Sequence, residues 1–276
     1  MEQKVKNNKI KLRILIAILV LSAGSAIVFA AIILHDIITT RQGQDFFAQM
    51  SVPIVQLPVN PPQQNIVADD ESNDDNIDTI AEEEPFLLPI LDFEAKRELA
   101  PNIVGWIQSP GTVINYPIVQ GADNDFYLDH LPNGRRNSMG SIFLDYRNEA
   151  DFSSQNMFIY GHNMASGDKF SSLRQYENRA FFEQHSEMFI FTPHQNFVLE
   201  IFAGYNINSA IEHPPMYFES EIDFERYIEN LRSRSFIRSD VQVSYNDQLV
   251  FLVTCVYADD NPWRSIIVGR IIALDW

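Results

Sequence analysis

The chain has 276 residues, 46% of them hydrophobic and 12% aromatic, enough for one domain with a full core plus appendages. Its formal net charge of −17 argues against a nucleic-acid polyanion as partner, because phosphate binding needs clustered Lys and Arg. A single cysteine excludes any intrachain disulfide and any multi-thiolate zinc site.

Residues 1–13 form a basic tail carrying Lys4, Lys6, Lys9, Lys11 and Arg13. Ile14–Leu34 follows with 21 residues and no charge. At ~1.5 Å per residue this run covers the ~30 Å hydrocarbon core of a bilayer. The positive flank precedes it and only Arg41 follows closely, which predicts a cytoplasmic N-terminus and an exported remainder. A cleaved signal peptide has an apolar core of only ~7–15 residues. Here the small residues Ala23–Ala26 lie in mid-run rather than after it, so 14–34 is expected to be an uncleaved signal-anchor in the cell membrane.

From Gln42 to Ala95 there is no Lys or Arg, while twelve residues are Asp or Glu. Pro53, Pro58, Pro61, Pro62 and the acidic run Asp69–Asp78 fall in this stretch. Such a composition buries too little apolar surface to offset its ordering entropy. Residues 35–91 are therefore expected to be an extracellular tether, with Ser51–Pro85 extended, leaving 92–276 as the folded domain.

Asp92–Ala100 reads as a short helix with Asp92 as N-cap and Pro101 as the stop. Strand signals follow at Ile103–Gln108 and Thr112–Val119, separated by the turn Ser109–Pro110–Gly111. Further strands are expected at Ser141–Tyr146, Asn156–Tyr160, Glu187–Thr192, Phe197–Asn206, Val241–Tyr245, Leu249–Val256 and Ser265–Leu274. Asp168–Tyr176 and Asn178–His185 read as short helices. Ser220–Arg232 is the clearest helix. Ser220 and Asp223 make a capping-box-like start, and Phe224, Tyr227, Ile228 and Leu231 follow i, i+3, i+4, i+7 spacing. Eight or so short strands with inserted helices predict a mainly β fold, closed or nearly closed as a barrel.

Cys255 ends the apolar run Leu249–Thr254 where it meets a polar loop, a position from which a thiol could reach an exposed strand end. Thiol catalysis needs a stabilised thiolate and a neighbouring acid/base, usually His. A buried inert cysteine is the alternative on these features alone. Among six histidines, His162 follows the strand Asn156–Tyr160 and Gly161, so a glycine delivers it from a strand end. Arg264 opens the last strand, nine residues after Cys255; antiparallel pairing would bring its guanidinium close to the thiol, where it could stabilise an oxyanion. A surface arginine paired with Asp259 or Asp260 is the competing reading. No His pair with a carboxylate has metal-ligand spacing, and neither a metal nor a cofactor is expected.

With these residues in hand, the sequence resembles the class B sortases, membrane-anchored cysteine transpeptidases of Gram-positive surfaces. The likeness is carried by Asn102–Ile107, Thr112–Gln120, Asp123–Leu128, Gly140–Asn148, Ile159–Met164, Thr254–Cys255 and Arg264–Ile271, in the same order and spacing. It implies an eight-stranded sortase barrel with an N-terminal helix and a long helix in the loop before the catalytic strand. It also implies Cys255 as nucleophile, His162 as acid/base and Arg264 as oxyanion and substrate stabiliser. A peptide groove at Asn124, Leu128, Tyr160 and Thr254 is implied as well. The implied reaction cleaves an NPxT[GN]-like sorting signal after Thr through a thioacyl-enzyme, then transfers the surface protein to an amine of a lipid II-type wall precursor. Val253 departs from the family's frequent T-L-S-T-C pattern by lacking a hydroxyl. A pilin-polymerising sortase using a Lys side-chain acceptor and a catalytically silent membrane-tethered binding domain are the other readings. A papain-like order is discounted, since the histidine here precedes the cysteine.

Overall fold

The computed structural model describes residues 2–53, 91–255 and 262–274. Eight strands close into one barrel: β1 (Ile103–Gln108), β2 (Asn115–Gln120), β3 (Ile142–Leu144), β4 (Asn156–Tyr160), β5 (Glu187–Phe191), β6 (Asn196–Asn208), β7 (Leu249–Cys255) and β8 (Trp263–Leu274). Around the barrel they run β1-β2-β3-β4-β7-β8-β6-β5. The β2/β3 and β4/β7 pairs are parallel and every other pair is antiparallel. The expected mainly β barrel is therefore what the chain forms.

The run LVFLV in β7 is apolar at every position because both faces are buried. Val250 and Leu252 join one core cluster with Met157, Ile159 and Ile267. Phe251 and Val253 join a second cluster, with Phe158, Ile266 and Val268. That second cluster is covered by α4 (Glu221–Arg234), which lies in the connection between β6 and β7. Phe224, Ile228 and Leu231 supply its buried face, each worth about 1.5–3 kcal/mol of transfer free energy. Ser220 caps the helix by accepting from the backbone N–H of Asp223, while Arg232 and Arg234 sit in the last turn where the helix dipole favours cations.

Two other helices flank the barrel. Helix α2 (Phe93–Leu99) is capped by Asp92, as its sequence predicts, and α3 (Arg179–Gln184) by Asn178. The long α1 (Glu2–Met50) contains the apolar run and is long and apolar enough to cross a membrane. It does not end with that run. Residues 35–50, expected as the start of the tether, continue the helix and place Gly43, Phe47 and Met50 in buried positions against the barrel. Residues 54–90, which hold the acidic run, lie outside the described residues.

Two further expectations differ from what forms. Val241–Tyr245 alternates between half-buried and exposed positions as a strand would, yet it joins no ladder. Both edges of its neighbour β7 are already taken by β4 and β8. The expected helix Asp168–Tyr176 becomes a 3-10 turn at Ser171–Glu177 that runs directly into the Asn178 cap of α3.

Candidate active site

The site lies where β4, β7 and β8 end together. In the β7/β8 ladder Cys255 is the direct Cα partner of Arg264, and Thr254 that of Ser265. In the parallel β4/β7 ladder Tyr160 is level with Val253, and Gly161 N donates to Val253 O at 3.1 Å. His162 follows the end of β4 by two residues, as Cys255 follows Val253 by two in β7. The sequence predicts the three as neighbours, and the barrel sets them at one row of three neighbouring strand ends.

Gly161 is what the row requires between strand and histidine. A Cβ there would lie within 3 Å of Ile142 and of the Phe170 ring. His162 is half-buried, and its Nε2 lies 2.6 Å from Leu128 O. A carbonyl oxygen only accepts, so Nε2 carries the hydrogen and Nδ1 is the nitrogen left to exchange a proton. On the other side Gly140, at φ +55°, lets the 137–140 loop press against the ring; a Cβ at Gly140 would sit 3.0 Å from His162 Cδ2. That contact and the positive φ both favour glycine at this position.

Arg264 is half-buried and its Nη1 donates to Trp263 O at 3.1 Å. Thr254 is 2% exposed, and its hydroxyl has no hydrogen-bond partner among the described residues. Val253 is buried against the α4 cluster, so no hydroxyl is missed there by the packing itself. Leu128 is 43% exposed beside the histidine its carbonyl engages.

Asn124 and Tyr160 meet at a residue that sequence reasoning missed. Asp145 is fully buried just after β3 and accepts from Asn124 Nδ2 at 2.9 Å and from Tyr160 Oη at 3.0 Å. Arg147 grips both carboxylate oxygens, Nε to Oδ1 at 2.8 Å and Nη2 to Oδ2 at 2.7 Å. Burial alone would raise the Asp145 pKa, but the bonds from Arg147, Asn124 and Tyr160 outweigh it and hold it below the ordinary carboxylate value. Burial and the Asp145 charge raise the Tyr160 phenol pKa, so it stays a donor. The signal was the Asp-x-Arg spacing in Asp145–Tyr146–Arg147, which suits a bidentate pair.

One more ionisable group lies under the loop that follows His162. Lys169 is fully buried, with Nζ 3.0 Å from the centre of the Phe47 ring and 4.6 Å from that of Tyr116. Its Nζ has no hydrogen-bond partner among the described residues. Ring faces return about 0.5–2 kcal/mol to a cation, against a burial cost of several kcal/mol per ion. Burial therefore dominates and holds its pKa well below the ordinary lysine value, with Asp168 opposing weakly.

No protein-family model matches the chain. Two curated relatives do. The chain is 36% identical over 177 residues to sortase B of Listeria monocytogenes, covering 64% of this chain and 72% of that one. It is 31% identical over 181 residues to sortase B of Staphylococcus aureus, covering 65% and 74%. Among solved structures, a Staphylococcus aureus sortase B–substrate complex superimposes with a TM-score of 0.63 at 30% identity, covering 66% of this chain and 85% of that one. The closed eight-stranded barrel with a helix before the cysteine-bearing strand is the sortase architecture, whose members are cysteine transpeptidases. Within it, the chain belongs to the sortase B family.

Proposed function

We propose that the chain anchors surface proteins to the cell wall, with Cys255, His162 and Arg264 as its reacting groups. The observation that carries this reading is the shared row of strand ends: the only cysteine of the chain is paired to Arg264 in the β7/β8 ladder, and β7 pairs on its other edge with β4, the strand that His162 follows. The Cys255 thiolate attacks the carbonyl carbon of Thr in an NPxT[GN]-like sorting signal, forming a C–S bond. Arg264 stabilises the oxyanion as the tetrahedral centre forms. The C–N bond then breaks, and His162 gives its Nδ1 proton to the departing amine, leaving a thioester. An amine of a lipid II-type precursor attacks next, His162 takes its proton, and Cys255 leaves as thiolate.

Asn124, Leu128, Tyr160 and Thr254 are the proposed peptide-binding residues. Tyr160 and Asn124 share the Asp145 anchor behind the row, which favours a rigid groove wall. The basic tail and the apolar run of α1 support a single-pass membrane anchor with the N-terminus cytoplasmic and the barrel outside. The test is thioester capture: wild-type protein mixed with an NPxT-type peptide is expected to gain the acyl mass on Cys255, and Cys255→Ala to gain none. Unchanged cleavage by Cys255→Ala overturns the reading.

A further inference from the structure

The end of α1 touches the chain on both sides of His162. On one side, Asn137 Nδ2 donates to Thr39 O at 2.7 Å, and Gly43 lies so close to Met139 that a Cβ there would stand 2.5 Å from its sulfur. The next residue in that loop, Gly140, is the one pressed on the His162 ring. On the other side, residues 162–170 form a loop closed at its base. Phe170 N donates to His162 O at 3.0 Å, and Asn163 and Lys169 form an isolated bridge. Lys169 stands in this closing segment at φ +60°, and its amine lies over the Phe47 ring. Phe47 also meets Tyr116 edge-on, Tyr116 Oη accepts from Lys169 N at 3.2 Å, and Gln44 Nε2 donates to Asp168 Oδ2 at 3.1 Å.

From these contacts we infer that the last turns of the anchor helix are a positioning element for His162, with Phe47 as the positioning residue. The inference rests on His162 acting as the acid/base, as proposed above. One face of α1, carrying Gly43 and Phe47 a turn apart, holds the 137–140 loop and the 163–170 loop at the same time. His162 is the residue both loops touch. When α1 leaves the barrel, the ring loses the walls that aim Nδ1, while the groove formed by Asn124, Tyr160 and Asp145 keeps its own bonds. Docking of the membrane-proximal helix then sets turnover without setting peptide affinity.

The experiment uses the full chain in detergent micelles with an NPxT-type peptide and an amine acceptor. Phe47→Ala removes the ring, and Phe47→Tyr restores it. Gly43→Leu puts a better helix former into α1 but fills the space that Met139 occupies. The expected result is a fall in kcat of about ten- to a hundredfold for Phe47→Ala and Gly43→Leu, with KM for the peptide within twofold of wild type and recovery in Phe47→Tyr. Unchanged kcat in Phe47→Ala and Gly43→Leu, alongside inactive His162→Ala, overturns the inference and leaves the catalytic reading standing. A fall in kcat matched by an equal loss of folded protein also overturns it, since the contact would then be structural only. An active His162→Ala overturns the catalytic reading itself.

Discussion

Cys255 and Arg264 are direct partners across the β7/β8 ladder, the last described residue of one strand facing the second residue of the next. Strand pairing thus fixes the distance between their backbones, and no loop has to fold correctly to bring the arginine to the thiol. If Arg264 stabilises the oxyanion, Arg264→Lys keeps the charge but loses the planar fork. We expect kcat to fall about a hundredfold in Arg264→Lys and further in Arg264→Ala, with the protein still folded. Single-turnover acylation, followed by mass, measures it.

Asp145 gives a prediction in which the sign with pH can be worked out. Its folded pKa is depressed, so the stabilisation it provides is present above the ordinary carboxylate value of 3.8 and is lost as pH falls through the lower folded value. Asp145→Asn keeps the shape but weakens three charge-assisted partners, of which Arg147 is half-exposed and partly screened. The expected cost is about 2 kcal/mol at pH 7, shrinking as pH falls below 3.8 and through the lower folded value. Urea denaturation of both proteins at several pH values measures the difference. The same substitution loosens Tyr160 and Asn124, so KM for the peptide is expected to rise more than kcat falls.

Much of this arrangement is legible in the residues themselves. The i, i+3, i+4, i+7 pattern of Phe224, Tyr227, Ile228 and Leu231 places α4, and Gly161 before His162 marks a histidine leaving a strand end. What is not legible depends on partners far away in sequence. Val241–Tyr245 has strand periodicity, but whether it joins a ladder depends on the edges of β7, which β4 and β8 occupy. Asp145 looks like a surface acid until Asn124, Tyr160 and Arg147 converge on it. The end of α1 did leave a trace: Gly43, Phe46, Phe47 and Met50 also follow i, i+3, i+4, i+7 spacing. Its polar neighbours and the acidic segment after it hide that stripe.

Lys169 makes a prediction opposite in sign to Asp145. Its pKa in the fold is held well below 10.5, so between that lower value and 10.5 the unfolded chain binds more protons than the folded one. Stability therefore rises with pH through this window as the cost of stripping the proton disappears. Lys169→Met fills a similar volume without a titrating group. It is expected to be more stable than wild type at pH 7, with the two curves converging as pH approaches 10.5. Guanidinium denaturation at pH 7 and pH 10 measures the gap, and a constant gap across that range would count against a depressed lysine.

The two ends of the acidic segment are held at one place on the barrel. Before it, Val52 O accepts from Asn115 Nδ2 at 3.1 Å and Pro53 O accepts from Gln108 Nε2 at 2.9 Å. After it, Leu91 and Phe93 pack in the same cluster as Met50 and Val52, and Lys96 Nζ donates to Met50 O at 2.6 Å. The route from the apolar run to the barrel therefore passes through helix α1 and its docked end, not through residues 54–90. Replacing 57–88 by about ten Gly and Ser residues, with an r.m.s. reach of about 17 Å, leaves those anchoring bonds in place. Tm is expected to move by no more than about 2 °C, and transpeptidation in micelles to be unchanged. Cutting the docked helix instead, by replacing Gly43–Met50 with Gly and Ser, removes Phe47 and Met50 from the barrel and is expected to lower both. Differential scanning calorimetry and product mass spectrometry on the two variants separate the contributions; equal losses in both would mean that the acidic segment carries the linkage.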